Sequence, residues 1–296
     1  MLSILIPVYN YQITDLVHNL YTQIEENSIK AEIIIVDDAS REYESENSKL
    51  VNLGHVSFEK LSKNIGRSAI RNYLALKAKY NYLLFIDCDA KIQNIDFLNN
   101  YLSCIADNKE VVCGGLEYEK EAPENRNLYF RWYYGINREY RAVEERVKYS
   151  QKSFSSFNFL IKKKVFQSIS FHEKLTNYGH EDTLFGIELK KHNKEINHIN
   201  NPLLHYGLEG ADEFISKTKQ SVKNLRYLFN NYSDIVSLQD SIKLLKYVRI
   251  VHKLRLVWLF KYCSKLFNRI ILKNLKSQHP SLLLFDFYKI CYYFSL

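Results

Sequence analysis

Three short apolar runs, each ending abruptly in polar residues, constrain the fold of this chain more than any other feature of its sequence. The sharpest is LLFIDCDA at 83–90, where Leu83 to Ile86 gives way to Asp87, Cys88 and Asp89. SILIPVYN at 3–10 is apolar from Ile4 to Ile6 and is expected to break at Pro7, with Tyr9 and Asn10 beyond. EIIIVDDAS at 32–40 is apolar from Ile33 to Val36 and breaks at Asp37 and Asp38. A short apolar run bounded by polar residues reads as a strand buried on both faces, which is the pattern of a parallel sheet. Helical spacing accompanies these runs: Leu16, Leu20 and Ile24 follow the first, and Ile65, Ala69 and Leu76 precede the Asp-Cys-Asp run. Strands alternating with helices argue for βαβ units. Right-handed crossovers then put all three strand ends on one rim, where open α/β sheets bind ligands. That rim would carry Tyr9, Asp37, Asp38, Asp87 and Asp89. Residues two apart on a strand project to one side, so Asp87 and Asp89 are expected to converge on one hard cation that bridges to nucleotide phosphates. The plainer alternative has one of them capping the following turn and the other solvated.

Composition narrows the class. The chain has 296 residues, 46% of them hydrophobic and 25% charged, which suits one large α/β domain with an appendage and excludes a disordered chain. The five cysteines (Cys88, Cys104, Cys113, Cys263 and Cys291) are odd in number and form no CxxC pair. A disulfide framework or a zinc site is therefore not expected, and a reducing cytoplasm fits. Residues 2–8 are apolar but lack a basic leader and a small-residue cleavage site, so they read as the first strand and not as a signal peptide. No apolar run reaches the length of a membrane span. The net charge of +8 is local: residues 241–296 hold 11 Lys and Arg against one acid, Asp286, a net of +10 that leaves −2 for the rest.

Taken in order, SILIPVYN, IIIVDDAS, NIGRSAIRN at 64–72 and FIDCDA at 85–90 resemble the nucleotide-binding half of family 2 glycosyltransferases. NYGHEDTLFGIEL at 177–189 resembles the acceptor-side Glu-Asp motif of that family. The resemblance covers residues 1–210 and implies a GT-A fold, a Rossmann-like, mostly parallel sheet flanked by helices. It divides the chain into a glycosyltransferase domain, 1–210, and a basic helical C-terminal region, 211–296. Within the domain, 1–115 would bind the nucleotide sugar and 116–210 the acceptor. The implied activity is metal-dependent, inverting transfer from a UDP-linked sugar to a saccharide or lipid-linked saccharide, in cell-surface polysaccharide synthesis. Two other readings are weighed: a non-catalytic protein that binds through its basic tail, and a sugar-nucleotide nucleotidyltransferase. Intact Asp-Cys-Asp and Glu-Asp pairs, and no recognisable nucleic-acid module, count against the first. Residues 7–15 lack the Gly-rich basic loop that the second requires.

The resemblance also implies roles. Pro7 and Tyr9 would lie along the base and ribose. Asp38 or Asp37 would accept from uracil N3–H, with one of the pair bonding its own turn instead. Gly66 permits close backbone approach and Asn64 is expected to cap the helix that follows. Arg71 would reach the base or pyrophosphate, or else pair with an acid on the rim. Asp89 is the metal ligand, Asp87 contacts the ribose or a metal-bound water, and His205 is the candidate third ligand. The ion would be Mn²⁺ or Mg²⁺, and an imidazole among oxygen ligands favours Mn²⁺. Asp182 is expected to act as base and Glu181 to hold the acceptor hydroxyl. The alternative makes both simple first-turn acids, favoured by the helix dipole.

Two regions remain open. Residues 117–158 carry Tyr118, Tyr129, Phe130, Trp132, Tyr133, Tyr134, Tyr140 and Tyr149, which fit either a sugar-binding cleft or an aromatic core. Phe157 and Asn158 fall where the family presents acceptor-facing groups. The processive Gln-x-x-Arg-Trp motif is incomplete, since Leu128 precedes Arg131 and Trp132, which favours single additions. In the tail, Lys253, Lys261, Lys265, Arg269 and Lys273 recur at multiples of four beside Leu, Ile, Phe and Trp258. That pattern predicts either attachment to an anionic membrane surface, peripheral on its cytoplasmic face, or a helical pair packed on the catalytic domain.

Overall fold

Because β-branched and leucine side chains fill both faces of the three predicted strands, those strands must lie inside a sheet, and the computed structural model places them at its centre. It describes residues 1–175, 178–232 and 234–296. The chain opens with β1 (Leu2–Val8), α1 (Thr14–Glu26), β2 (Ala31–Asp37), α2 (Glu44–Ser48), β3 (Val56–Lys60), α3 (Arg67–Lys77) and β4 (Tyr82–Ile86). There follow β5 (Ala90–Lys91), α4 (Phe97–Ala106), β6 (Val111–Cys113), β7 (Leu116–Glu117), α5 (Arg126–Tyr134), α6 (Val143–Lys148), β8 (Asn158–Lys162) and α7 (Lys163–Ser168). The last are α8 (Glu181–Lys191), β9 (Asn197–His198), β10 (Leu203–His205), α9 (Ala211–Asn231), α10 (Ile235–Ser241), α11 (Lys243–Lys253), α12 (Val257–Leu275) and α13 (Leu282–Ser295).

Internal contacts divide the chain into two units. The first comprises Met1–Glu119, Tyr140–Thr176 and Glu188–Gly207; the second comprises Lys120–Glu139, Asn177–Ile187 and Leu208–Leu296.

The first unit is built on a seven-stranded sheet in the order β3-β2-β1-β4-β8-β6-β9. β1 to β4 run parallel, β8 is antiparallel to both β4 and β6, and β9 is parallel to β6. The chain moves outward from β1 to β3 and then returns to the other side of β1 as β4. That reversal makes the carboxyl ends of β1 and β4 a topological switch point, where ligands of such sheets bind. Leu16, Val17, Leu20 and Ile24 of α1 are buried with Ile4, Ile6, Ile33 and Ile35. α3 buries Ser68, Ile70, Arg71, Leu74 and Ala75, while Leu76 is 74% exposed. The Ile65-Ala69-Leu76 face expected from spacing is therefore rotated away, because α3 starts only at Arg67 and turns Arg71 inward.

β1 also extends past Pro7 to Val8. Its last β4 partner is at Leu5, whereas its β2 ladder continues to Val8. A proline is tolerated where one neighbour has already gone. A second, three-stranded sheet has the order β5-β10-β7. In it β10 lies antiparallel to β5, with His205 opposite Ala90.

Asn158 turns into the core of this unit and does not face an acceptor: it is 1% exposed. Its Nδ2 donates to the carbonyls of Asn201 (2.8 Å) and Gly115 (3.2 Å), and its Oδ1 accepts from the Tyr101 hydroxyl at 2.6 Å.

The second unit is helical. Phe130 of α5, Phe214 and Ile215 of α9, Ile271 and Leu275 of α12, and Phe285 and Tyr288 of α13 form its core. Phe130 and Tyr134 meet the Phe285 ring edge-on, at centroid distances of 5.0 and 5.5 Å. Part of the aromatic stretch is thus packing, whereas Tyr140 and Tyr149 remain exposed. The basic stripe is interrupted as well. α11 ends at Lys253, and Arg255 takes a φ of 56° before α12 begins, so Lys253 lies on a different helix from Lys261, Lys265, Arg269 and Lys273.

Removing the Asn158 amide takes from the buried Asn201 carbonyl its side-chain donor, leaves the Gly115 carbonyl with the Leu203 N–H at 3.3 Å, and leaves the Tyr101 hydroxyl with only a long contact to the Asn158 carbonyl at 3.4 Å. Asn158→Ala is expected to cost about 2–4 kcal/mol. For a unit of this size that lowers the melting temperature by roughly 5–15 °C. Thermal melting followed by circular dichroism measures this, and an unchanged transition would show that the three groups find other partners.

Candidate active site

The switch point is shaped by how each strand end is tied down. Beyond β1, Tyr9 is exposed, and Asn10 adopts a left-handed φ of 49°. The Asn10 N–H donates to Ser40 Oγ and its Oδ1 accepts from the Arg41 N–H, both at 2.8 Å. The loops after β1 and β2 therefore hold each other. Asp37 is fully buried and its Oδ1 accepts from the Ser40 N–H at 2.6 Å, the bond of a turn carboxylate. Asp38 faces the other way along the rim. Its Oδ1 accepts from the Ile65 N–H (2.7 Å) and its Oδ2 from the Gly66 N–H (3.0 Å). Burial raises the Asp38 pKa, these two N–H groups lower it, and Asp37 adds a smaller rise.

Asp38 thus anchors the loop before α3. Gly66 opens that helix at φ 85°, a conformation that disfavours side chains. Asn64 does not cap α3; its Nδ2 donates to the Asp38 carbonyl at 3.1 Å, because the helix starts after Gly66 and out of its reach.

The two carboxylates of the Asp-Cys-Asp segment have different partners. β4 stops at Ile86, and Ala90 N–H donates to the Asp87 carbonyl at 3.2 Å, so residues 87–90 form a turn. The strand rule that would project Asp87 and Asp89 together does not apply there. Asp87 accepts from Arg71 Nη2 at 2.5 Å. Arg71 is 2% exposed, gives its Nη1 to the Arg67 carbonyl at 3.1 Å and lies 5.5 Å over the Phe171 ring. Asp89 Oδ2 lies 3.3 Å from His205 Nε2. The rings of Tyr118 and Phe157 flank His205, each with its centroid at 5.4 Å. Between the acids, burial and then the charges of Asp89 and Asp87 push the Cys88 thiol up to about 12.

His205 reaches Asp89 through the backbone. β10 pairs with β5, and the N–H groups of Tyr206 (2.9 Å) and Gly207 (3.3 Å) both donate to the Asp89 carbonyl. At Gly207 an added Cβ would fall 2.7 Å from Asp89 Cβ and 2.8 Å from Tyr11 Cε2. Tyr11, whose hydroxyl burial and then Asp89 push up to about 12, forms the other wall. Tyr11 and Gly207 belong to no motif in the sequence, and a glycine two residues after His205 is the trace of this close approach.

Among the described residues no group of three or more His, Cys, Asp or Glu gathers as a metal cage. Asp89 and His205 nevertheless present one carboxylate oxygen and one imidazole nitrogen to each other, and the buried Nδ1 of His205 has no partner. A two-residue donor set suffices for Mn²⁺ or Mg²⁺ when phosphates and waters complete the shell, so these residues fit such an ion.

The acidic pair belongs to the second unit. Glu181 and Asp182 form the first turn of α8, and Glu181 is buried. The residue before them, His180, takes a φ of 73°. Two side chains of α9 hold this corner. Ser221 Oγ lies 3.1 Å from His180 Nε2, and Asn224 Nδ2 donates to the Gly179 carbonyl at 3.1 Å. Burial, with a smaller contribution from Lys289, pushes the His180 pKa down to about 4.

The family model for glycosyl transferase family 2 matches residues 3–170. No curated protein matches the chain. Among solved structures it is similar to the mannosyltransferase PcManGT from Pyrobaculum calidifontis, a complex with GDP-Man and Mn²⁺. The identity is 14%, the TM-score 0.57, and the match covers 80% of this chain and 68% of that one. It is also similar to S. aureus TarS 1–349. The complex with UDP aligns at 18% identity and TM-score 0.52, over 81% of this chain and 69% of that one. Without ligand, TarS 1–349 aligns at 17% identity and TM-score 0.53, over 97% and 89% of the two chains. At these identities the likeness establishes a shared GT-A fold.

The His180 environment has a measurable consequence. Its folded pKa of about 4 lies below the unfolded 6.5, so the unfolded chain binds more protons between these values. The contribution to stability is complete above pH 6.5 and is lost as pH falls towards 4, by about 3 kcal/mol in all. His180→Asn tolerates the left-handed backbone and lacks the titration. Denaturant unfolding at pH 7 and pH 5 should show the wild type losing about 2 kcal/mol more than the variant. Equal losses in both proteins would refute a buried neutral imidazole.

Proposed function

The chain belongs to glycosyl transferase family 2, and on that premise we propose that it transfers a sugar from a UDP-linked donor to a saccharide or lipid-linked saccharide. The observation that carries this reading is the Asp89–His205 pair, 3.3 Å apart at the carboxyl end of the β1/β4 switch point. Pro7 and Tyr9 line the base and ribose. Asp38 accepts from the uracil N3–H through the lone pairs that Ile65 and Gly66 leave over. A carboxylate there selects uridine over cytidine, whose N3 carries no hydrogen. Guanine also offers an N–H, and the mannosyltransferase from P. calidifontis was solved with GDP-Man, so a panel of UDP- and GDP-sugars decides the donor. Asn64 and Gly66 set the loop against which the nucleotide lies. Arg71 acts by holding Asp87, and Asp87 meets the ribose hydroxyls or a metal-bound water.

Asp89 and His205 would hold a divalent ion, Mn²⁺ in preference to Mg²⁺ because of the imidazole. When bound, such an ion offsets the charge that develops on the leaving diphosphate. The acceptor hydroxyl must lose a proton as it attacks the anomeric carbon through an oxocarbenium-like state. Asp182 is the base that takes it, and Glu181 positions the hydroxyl. Direct attack inverts the anomeric centre. Single additions follow from the incomplete Gln-x-x-Arg-Trp motif. The odd, unpaired cysteines fit a reducing cytoplasm, and a lipid-linked acceptor would bring the enzyme to the inner membrane face, in the building of cell-surface polysaccharide.

Titration calorimetry tests the donor half. UDP should bind at least about tenfold more tightly with Mn²⁺ than with EDTA, and Asp89→Asn should abolish that difference. Equal affinity of the wild type in both buffers would remove the metal from the mechanism. The acceptor half is tested separately. Asp182→Asn should leave UDP affinity near that of the wild type while transfer falls by at least about a hundredfold. If donor binding weakened and turnover survived, Asp182 would not be the base.

A further inference from the structure

α12 is a helix of 19 residues of which only Ile271 and Leu275, at its C-terminal end, are buried. One side leans on α13, where Phe260 meets the rings of Phe287 at 5.7 Å and Phe294 at 5.9 Å. Another side carries Trp258 (68% exposed), Tyr262 (59%), Leu266 (53%) and Ile270 (65%), four large apolar side chains at intervals of four. Leu259 and Phe267 are exposed beside them. Lys261, Lys265, Arg269 and Lys273 form a second row at the same interval. At 3.6 residues per turn that row lies alongside the apolar one, about 100° round the helix where the two adjoin in sequence. None of the four cations is in an ion pair among the described residues. The region's one acid, Asp286, is on α13 and bonds Arg138 and Lys289.

We propose that this face of α12 docks on an anionic lipid surface. The proposal deepens the reading of a lipid-linked acceptor and rests on that reading for its purpose, though not for its geometry. A helix exposed to water alone would not carry four large apolar residues in register. Nor does α12 cross a membrane: no helix among the described residues is long and apolar enough. A second copy of this chain would bring another +10 tail against the same cations. An apolar row and a cationic row side by side on one helix match the boundary of a bilayer, where acyl chains lie just beneath phosphate headgroups. Trp258 and Tyr262 have the amphipathic rings suited to that depth. α11 repeats the composition, with Tyr247 and Ile250 exposed among Lys243, Lys246, Arg249 and Lys253, and Leu254 exposed just beyond its end.

The test uses the full chain and vesicles of phosphatidylcholine, alone or mixed with phosphatidylglycerol. Wild type should sediment with the mixed vesicles only, and less as salt rises. Trp132 is buried, so a blue shift of tryptophan fluorescence on binding reports Trp258. Replacing Lys261, Lys265, Arg269 and Lys273 with Gln should weaken partitioning on the order of a hundredfold or more. Replacing Leu266 and Ile270 with Ser should abolish the fraction that survives high salt. All these side chains are exposed, so melting temperatures should match the wild type. UDP binding measured on the same samples should not change, and its loss with vesicle binding intact would count against the transferase reading alone. The docking proposal is overturned if wild type fails to sediment with anionic vesicles, or if the Gln variant sediments equally well. A lipid-free, salt-resistant dimer that shields Trp258 would also overturn it, in favour of self-association.

Discussion

One backbone carbonyl organises the rim at the β1/β4 switch point. The oxygen of Asp89 receives the N–H groups of Tyr206 and Gly207, and through them the segment that carries His205 is laid against the end of β4. Without those two bonds and the short β5–β10 ladder, the imidazole would have no fixed relation to the Asp89 carboxylate. The glycine is part of the same device. At position 207 a side chain would meet both Asp89 and Tyr11, so close approach of two backbones is what lets a carboxylate and an imidazole share one place.

The four acids of the rim are divided by their partners. Asp37 is taken up by its own turn, and Asp38 binds two backbone N–H groups of the loop before α3. Asp87 is paired with a buried arginine, while Asp89 faces an imidazole. Such separation has an electrostatic reason. Four carboxylates crowded on one rim would repel one another, and each of these interactions offsets part of that cost. Removing Arg71 would take from Asp87 its buried ion-pair partner at 2.5 Å.

The second unit divides its apolar surface unevenly. α13 turns Phe285, Tyr288, Ile290, Cys291, Tyr293 and Phe294 inward, whereas α12 keeps most of its large side chains outside. The same composition therefore yields one core helix and one surface helix. Which is which depends on where Phe260, Ile271 and Leu275 find partners.

The chain's local pattern was enough to mark three buried strands with polar carboxyl ends, a helix after the first, and a rim holding Tyr9, Asp37, Asp38, Asp87 and Asp89. These features follow from periods of two and of 3.6 residues, which neighbours in sequence set by themselves. It also carried the family, because motif order is a property of the chain. The tertiary structure decided what depends on distant partners. Leu76 reads as core by spacing and is exposed because the buried face of α3 follows Arg71. Asn64 reads as a cap and instead holds the carbonyl of Asp38. Asp87 and Asp89 read as a pair on a strand; the strand ends at Ile86, and their partners, Arg71 and His205, come from elsewhere in the chain. Hydrogen bonds and ion pairs act over a few ångströms in space, and only the folded backbone brings residues so far apart in sequence within that reach.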